Sequence, residues 1–196
     1  MEIEIKRKFV HALGVFLILL IQIFGKYNAA LLMLAGTIAA ILLAEYRKNK
    51  KKYKLIKIKP IDDLEDFIEG EFKTVERPNS LPFKGAVEFG LGSFLATILF
   101  AENIAMACIA VLALADSLST LVGYYFGKYK LPINKKKTWE GSITFFLISL
   151  FILMFFTNPL IASILAFITA FVEALPYADD NLSIPLALGI LMTLIL

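Results

Sequence analysis

Residues Gly141 to Val172 read GSITFFLISLFILMFFTNPLIASILAFITAFV, and none of these 32 side chains is ionisable. The middle of the stretch holds Thr157-Asn158-Pro159, two polar residues and a proline, which is typical of a break between two helices. A transmembrane helix needs about 20 apolar residues. We therefore predict two membrane-spanning helices joined at this break.

Other apolar runs lie on both sides of this stretch. They cover residues 9–25 with His11, 28–44, 86–101 with Glu88, 103–127 with Asp116, and 182–196. Apolar residues make up 59% of the 196 residues and charged residues 19%, which excludes a soluble globular domain and a disordered chain. We predict an all-α polytopic membrane bundle of about seven transmembrane helices, forming a single domain over residues 1–196.

Basic residues are distributed unevenly around these helices. Nineteen of the 20 lysine and arginine residues precede the first span, lie in a loop at about 45–85, or follow the fourth span. With seven spans all of them fall on one side, which the positive-inside rule makes cytoplasmic. We expect a cytoplasmic N-terminus, an outside C-terminus and a short amphipathic helix within residues 60–76. The lysine run before that helix is interpreted as a topological signal and lipid anchor, with nucleotide binding as the alternative.

Polar residues form four clusters in or beside the spans, all on the predicted cytoplasmic side. An ionisable group at membrane depth is costly and therefore marks a candidate functional site. The first cluster shares one face of the first helix by its three- and four-residue spacing, and contains Glu4, Arg7, Lys8 and His11. The second begins with Asp116 in the fourth span and continues with Ser119, Gly123 and Gly127. A packed histidine and close helix packing through the glycines are the alternative interpretations.

The third and fourth clusters contain the residue types that bind phosphate and metal ions. Three lysines, a hydroxyl and a helix N-terminus before the fifth span predict a phosphate site within Lys135–Ser142, which includes Lys137, Thr138, Gly141 and Ser142. Acids and an amide before the seventh span suit Mg²⁺, with Ca²⁺ as a second candidate, and include Asp179, Asp180 and Asn181. Ordinary helix caps are the alternative for both clusters. Together the cations and acids indicate phosphoryl or nucleotidyl transfer to a lipidic acceptor.

The four clusters resemble, in order and nearly from end to end, the motifs of the dolichol kinase, phytol kinase and CTP-dependent diacylglycerol kinase family. The matching residues are Glu4-x-x-Arg7-Lys8-x-x-His11, Asp116-x-x-Ser119-x-x-x-Gly123-x-x-x-Gly127-Lys128, Lys137-Thr138-x-Glu140-Gly141-Ser142 and Glu173…Asp180-Asn181-Leu182. Ser119 stands where the family pattern has alanine. The resemblance implies an integral membrane kinase that transfers the γ-phosphate of CTP to a lipid alcohol such as a polyprenol, dolichol or diacylglycerol.

On this basis each residue has an expected role. Catalysis is expected from Asp116, Glu173 and Asp180, and metal binding from Asp116, Glu140, Asp179, Asp180 and Asn181. Nucleotide binding is expected from Arg7, Lys8, Lys128, Lys137, Thr138, Gly141 and Ser142. Supporting roles are expected for Glu4, His11, Ser119, Gly123 and Gly127. The expected partners are CTP, a divalent cation, a lipid alcohol and membrane lipids, without nucleic acid and with a homodimer as an option. We expect the protein in the cell membrane with the site facing the cytoplasm.

Two other functions remain compatible with the sequence. A CTP-dependent cytidylyltransferase would use the same residue types but release pyrophosphate and a CDP-lipid. A small ion or proton-coupled transporter would use His11, Glu88 and Asp116 as its path, although the lysine cluster before the fifth span argues against it. The chain contains no Walker A sequence, which excludes an ordinary P-loop NTPase.

Overall fold

The structure, a computed structural model, describes residues 2–49, 70, 82–176 and 179–196. Within these ranges the chain forms seven helical rods, as many helices as the sequence predicts. The bounds are α1 Glu2–Ala12, a 3-10 turn Leu13–Phe16, α2 Leu17–Phe24, α3 Lys26–Lys48, α4 Lys84–Leu99, α5 Glu102–Ala110, a π turn Val111–Ala115, α6 Asp116–Tyr125, α7 Trp139–Leu153, α8 Pro159–Ala174 and α9 Asp180–Ile195. The first rod consists of α1, the 3-10 turn and α2, and the fourth of α5, the π turn and α6.

Three helices in the described ranges are long and apolar enough to cross a membrane, namely Ile5–Phe24, Lys26–Lys48 and Glu102–Tyr125. The apolar helices α7, α8 and α9 are shorter, with 15, 16 and 16 residues. Their flanking residues or a locally thinner bilayer would have to complete a crossing. Large apolar side chains are exposed over the outer helix faces, as expected where lipid covers the protein.

The predicted break between the fifth and sixth helices lies between α7 and α8. Asn158 caps α8, because its side chain accepts a hydrogen bond from the Ile161 backbone N–H at 3.0 Å. Pro159 occupies the first turn, where a helix does not need the missing N–H. A local sequence signal therefore divides one apolar run into two helices.

The structure describes both helices that flank the loop predicted at about 45–85. Because α3 continues to Lys48 and α4 begins at Lys84, the segment between them covers residues 49–83. The extra turn of α3 carries Arg47 and Lys48, cations that suit the negative end of a helix. Apart from Gly70, the amphipathic helix predicted within residues 60–76 lies outside the described residues.

The fourth rod forms the core of the bundle. In the most apolar stretch of the fourth rod 72% of the residues are buried, compared with 11% in the first rod and 22% in α3. It contacts the first rod, α4, α7 and α9. Small side chains such as Ala105, Ala107 and Cys108 let these neighbours approach closely, and all three are fully buried. The rod that carries Asp116 therefore lies at the centre of the bundle.

Candidate active site

A cavity of about 1210 Å³ opens among the helices and receives residues from all four polar clusters. One end is polar and lies where the ends of α1, α6, α7, α8 and α9 meet. Apolar residues of the first rod and α3 also line the cavity, namely Leu17, Leu20, Leu32 and Met33, and we call this part of the cavity the apolar arm. The cavity therefore connects a charged site with apolar helix faces.

Asp116 forms a buried ion pair with Lys8 of α1. The Lys8 Nζ donates to Asp116 Oδ2 at 2.5 Å, and the two residues are 5% and 3% exposed. His11 Nε2 lies 3.2 Å from the same carboxylate oxygen and 3.2 Å from the Leu112 carbonyl oxygen. Since both neighbours accept hydrogen bonds, Nε2 carries the proton. Pairing offsets the high cost of burying a single charge among apolar helices.

The π turn supplies part of this arrangement. It ends at Ala115, immediately before Asp116, and contains Leu112, whose carbonyl contacts His11. Wide turns of this kind interrupt α-helices most often at functional sites. The His11 ring also packs edge-on against Phe89 of α4, with ring centroids 4.5 Å apart. Helices α1, α4 and α6 thus jointly orient the histidine.

Lys137 joins two carboxylates at the other side of the polar end. Its Nζ lies 2.7 Å from Glu173 Oε1 and 2.9 Å from Asp180 Oδ2, and it also donates to the Glu173 backbone carbonyl. Ser142 Oγ donates to the second Glu173 oxygen at 3.3 Å. Burial alone would lower the pKa of Lys137, but the Glu173 and Asp180 carboxylates raise it above its ordinary value. Lys137 therefore remains charged at physiological pH.

The loop between α6 and α7 holds Lys137 in this position. Leu131 N donates to the Lys137 carbonyl at 3.1 Å, and Trp139 N donates to the Tyr129 carbonyl at 2.9 Å. Glu140 accepts hydrogen bonds from the backbone N–H groups of Lys128 at 2.9 Å and Tyr129 at 3.3 Å. These contacts tie the loop to the first turn of α7.

Thr138 and the glycines bring α6 and α7 close together. Thr138 caps α7, because its Oγ1 accepts from the Gly141 N–H at 3.2 Å. A Cβ atom on Gly141 would lie only 2.9 Å from the Ser119 carbonyl oxygen, and one on Gly123 would lie 3.0 Å from Thr138 Oγ1. The glycine spacing therefore permits a helix contact that larger residues would prevent.

The predicted residues divide into three groups. Those lining the cavity are Arg7, Lys8, His11, Asp116, Ser119, Gly123, Gly127, Lys137, Thr138, Gly141, Ser142, Glu173, Asp179, Asp180 and Asn181. Lys128 and Glu140 are not among the cavity-lining residues, and Glu140 instead binds loop backbone. Glu4 belongs to α1, and its side chain lies outside the described part of the chain.

The oxygen donors around the cavity decide whether it could hold a metal ion. Among residues 2–49, 82–176 and 179–196, no group of three or more His, Cys, Asp or Glu side chains could hold a metal ion. Glu173 and Asp180, however, converge on one cationic group, and the buried Asn181 Oδ1 has no hydrogen-bond partner in the described structure. Magnesium in kinases often needs only one or two carboxylates and the nucleotide phosphates. These donors therefore fit a metal that binds together with a nucleotide.

Sequence reasoning missed the apolar arm and the wall formed by α4. Glu88 was assigned to the transporter alternative, yet it lines the cavity and pairs with Lys84 at 3.4 Å. Gly36 and Thr37 of α3 also line the cavity, and nothing in the sequence distinguishes them from the small residues around them, Ala35, Ala39 and Ala40. Phe89 had no signal, because its role depends on packing against His11.

Similarity to known proteins supports the kinase resemblance. The chain is 28% identical to phytol kinase 1, chloroplastic, of Arabidopsis thaliana over 53% of this chain and 41% of that protein. It is 33% identical to the probable phytol kinase 3, chloroplastic, of Glycine max over 53% of this chain and 38% of that protein. It is 29% identical to the CTP-dependent diacylglycerol kinase 1 of Schizosaccharomyces pombe over 58% of this chain and 61% of that protein.

These similarities are partial. The chain covers about two fifths of the length of the two phytol kinases. No family model matches the chain, and no solved structure matches it. The matches nevertheless confirm the resemblance to the phytol kinase and CTP-dependent diacylglycerol kinase family that the motifs predicted.

Proposed function

We propose that this protein is a membrane-embedded lipid kinase that transfers the γ-phosphate of CTP to the hydroxyl of a lipid alcohol. The observation that carries the proposal is one cavity in which Lys8 and Lys137, Asp116, Glu173 and Asp180 adjoin an apolar arm. Cations can bind phosphates, carboxylates can bind a metal or a proton, and the arm can accept a hydrocarbon chain. Phosphoryl transfer depends mainly on such positioning and charge stabilisation.

The nucleotide would bind at the Lys137 side of the cavity. Lys137 already contacts two carboxylates, and its ammonium group can turn to the phosphate oxygens once a nucleotide arrives. The N-terminus of α7, with Thr138 and Gly141, offers further N–H groups and a favourable dipole for phosphate. Arg7 and Lys8 line the same cavity and add positive charge.

A divalent cation would be held by Glu173 and Asp180, with Asn181 Oδ1 as a further oxygen ligand. When bound, Mg²⁺ would neutralise charge on the phosphates of CTP. Asp179 is less suited to this role, because its Oδ1 caps α9 by accepting from the Asn181 N–H at 2.9 Å. Glu140 is also less suited, since its carboxylate binds the loop backbone.

Asp116 is the preferred proton acceptor, because the carboxylates of Glu173 and Asp180 meet at Lys137 and are assigned to the metal, whereas Asp116 lines the cavity apart from that group. The lipid hydroxyl oxygen would attack the γ-phosphorus, and the bond from that phosphorus to the bridging oxygen of the β-phosphate would break. The hydroxyl proton passes to Asp116, and the products are a lipid monophosphate and CDP. Lys8 positions the Asp116 carboxylate for this step through their 2.5 Å contact.

The proposal is tested by the products that the purified protein forms. CTP labelled in the γ-phosphate is incubated with phytol, geranylgeraniol, a polyprenol or diacylglycerol, and parallel reactions contain CTP labelled in the cytidine. We expect label from the γ-phosphate, and none from cytidine, in the lipid product. Cytidine label in the lipid with release of pyrophosphate would indicate a cytidylyltransferase and overturn the kinase proposal.

A further inference from the structure

The apolar arm exists because the first rod has different neighbours along its length. Its second half, α2, packs against α3, whereas α1 packs against α6 and the π turn. The arm lies between these contacts, with Leu17 and Leu20 on one wall and Leu32, Gly36 and Ala40 on the other. The α3 residues are four positions apart and therefore share one helix face. The arm is thus bordered by two rods of membrane-spanning length.

Helix α4 limits the arm on a third side. A Cβ atom on Gly90 would lie 2.4 Å from Thr37 Oγ1 of α3, and one on Gly14 would lie 2.2 Å from the Phe89 ring. These two glycines are therefore required for packing. Close contacts of this kind place α4 against both α3 and the first rod.

Gly36 differs from these packing glycines. A Cβ atom built on it would meet no atom within 4 Å, although the residue lines the cavity. Glycine within a helix is about 1 kcal/mol less favourable than alanine, and no neighbouring side chain requires a glycine here. The space in front of Gly36 is open, and the residues of the first rod and α3 that line the same cavity nearby, Leu17, Leu20, Leu32 and Ala40, are uncharged.

We propose that the hydrocarbon chain of the acceptor lipid lies in this arm against Gly36, with its hydroxyl directed towards Asp116. The identity of the ligand rests on the proposed kinase function. The arm suits a hydrocarbon chain because its walls are Leu17, Leu20, Leu32, Met33 and Ala40. The charged triphosphate of CTP would not bind between these apolar walls, since burial of unpaired charge is costly. It would bind instead at the cationic end of the cavity.

The test uses Gly36→Phe and a matched control, Ala35→Phe. Both residues are exposed on α3, but Gly36 lines the cavity and Ala35 does not. Both variants gain the same side chain at neighbouring, exposed positions of α3, and a Cβ atom on Gly36 meets no atom within 4 Å. A common change in both variants would therefore reflect added bulk on α3 rather than occupation of the arm.

The probe is a diazirine analogue of hexadecanol, which reacts with the residues it contacts when illuminated. We expect it to label α2 and α3 in the wild-type protein and in Ala35→Phe, and to label Gly36→Phe at least about tenfold less. Gly36→Phe should raise the KM for the lipid acceptor by a similar factor, with the KM for CTP unchanged. Equal labelling of both variants, or labelling confined to helices outside the arm, would overturn the proposal.

The two proposals fail in different ways. If the arm is labelled as expected but no lipid phosphate forms with any acceptor, the kinase function is wrong and the chain-binding arm stands. If lipid phosphate forms and Gly36→Phe retains wild-type labelling and the wild-type KM for the lipid, the arm assignment is wrong and the kinase function stands.

Discussion

At the scale of single residues, the pair of Lys8 and Asp116 dominates the site. Both groups are almost fully buried among apolar helices, and each is the principal partner of the other. Removing one member of a buried pair commonly costs about 3–5 kcal/mol, because the remaining charge is left without compensation. Replacement of both members by apolar residues is often neutral. Single and double substitutions at this pair can therefore distinguish an effect on stability from an effect on catalysis.

We expect Asp116→Asn to lower phosphoryl transfer by at least about a hundredfold, as loss of a catalytic base commonly does. The single variant Lys8→Met should lower the melting temperature, because it leaves the Asp116 carboxylate unpaired. The double variant Lys8→Met/Asp116→Leu should recover the melting temperature and remain inactive. Measurable turnover near the wild-type rate in Asp116→Asn would remove this residue from the chemistry.

Lys137 provides a second residue-scale prediction. Lys137→Ala removes a charged contact worth roughly 1.5–3 kcal/mol, and each 1.4 kcal/mol is about tenfold. The KM for CTP should therefore rise about ten- to a hundredfold, with a smaller change in the KM for the lipid. Lys135→Ala is the control, because Lys135 is exposed and does not line the cavity. Equal effects of the two substitutions would mean that these lysines act only through their combined positive charge, and that Lys137 is not a specific ligand of the CTP phosphates.

At the scale of elements, the approach of α6 to α7 determines where Lys137 lies. Gly141 faces the Ser119 carbonyl, and Thr138 lies between the two helices against Gly123. The loop that carries Lys137 is tied to both helices by the Glu140 contacts and the Thr138 cap. A small displacement of α7 would therefore move Lys137 relative to Glu173 and Asp180.

Gly141→Ala should consequently disturb both stability and activity. The added methyl group would lie 2.9 Å from a backbone oxygen, which cannot move as a flexible side chain could. Overpacking of this kind costs about 1–3 kcal/mol. Gly85→Ala is the stability control, since its Cβ would meet nothing within 4 Å and alanine favours the helix. The melting temperatures of both variants are measured in one detergent. A Gly141→Ala protein that is as stable as the Gly85→Ala protein would refute the close approach of α6 to α7.

At the scale of the whole molecule, the basic residues predict the side of the membrane on which the cavity opens. Nineteen of the 20 lysine and arginine residues are predicted on the cytoplasmic side. Lys136 precedes α7 and Asn158 follows it, so these exposed residues lie at opposite ends of one helix. At about 1.5 Å per residue, that helix is roughly 22 Å long. Both ends are suited to accessibility measurements.

We expect a cysteine at Lys136 to be shielded from an impermeant thiol reagent in intact cells, and a cysteine at Asn158 to react. The native Cys108 gives little background, because it is fully buried. Permeabilised cells provide the control, in which both positions should react. Reaction of the cysteine at Lys136 from outside would invert the proposed orientation and would direct the cavity away from the cytoplasm.

The apolar runs of the sequence predicted seven helices, and its polar clusters indicated which residues to consider for the site. Apolar runs and the Asn158-Pro159 cap are local features, so they specify helices whatever the rest of the chain does. Only the tertiary structure brought Lys8 to Asp116, which lies 108 residues further along the chain, and Lys137 between Glu173 and Asp180. It also assigned Glu140 to the loop backbone and opened the arm in front of Gly36. These arrangements arise from the packing of one helix against another, which no local pattern of residue types encodes.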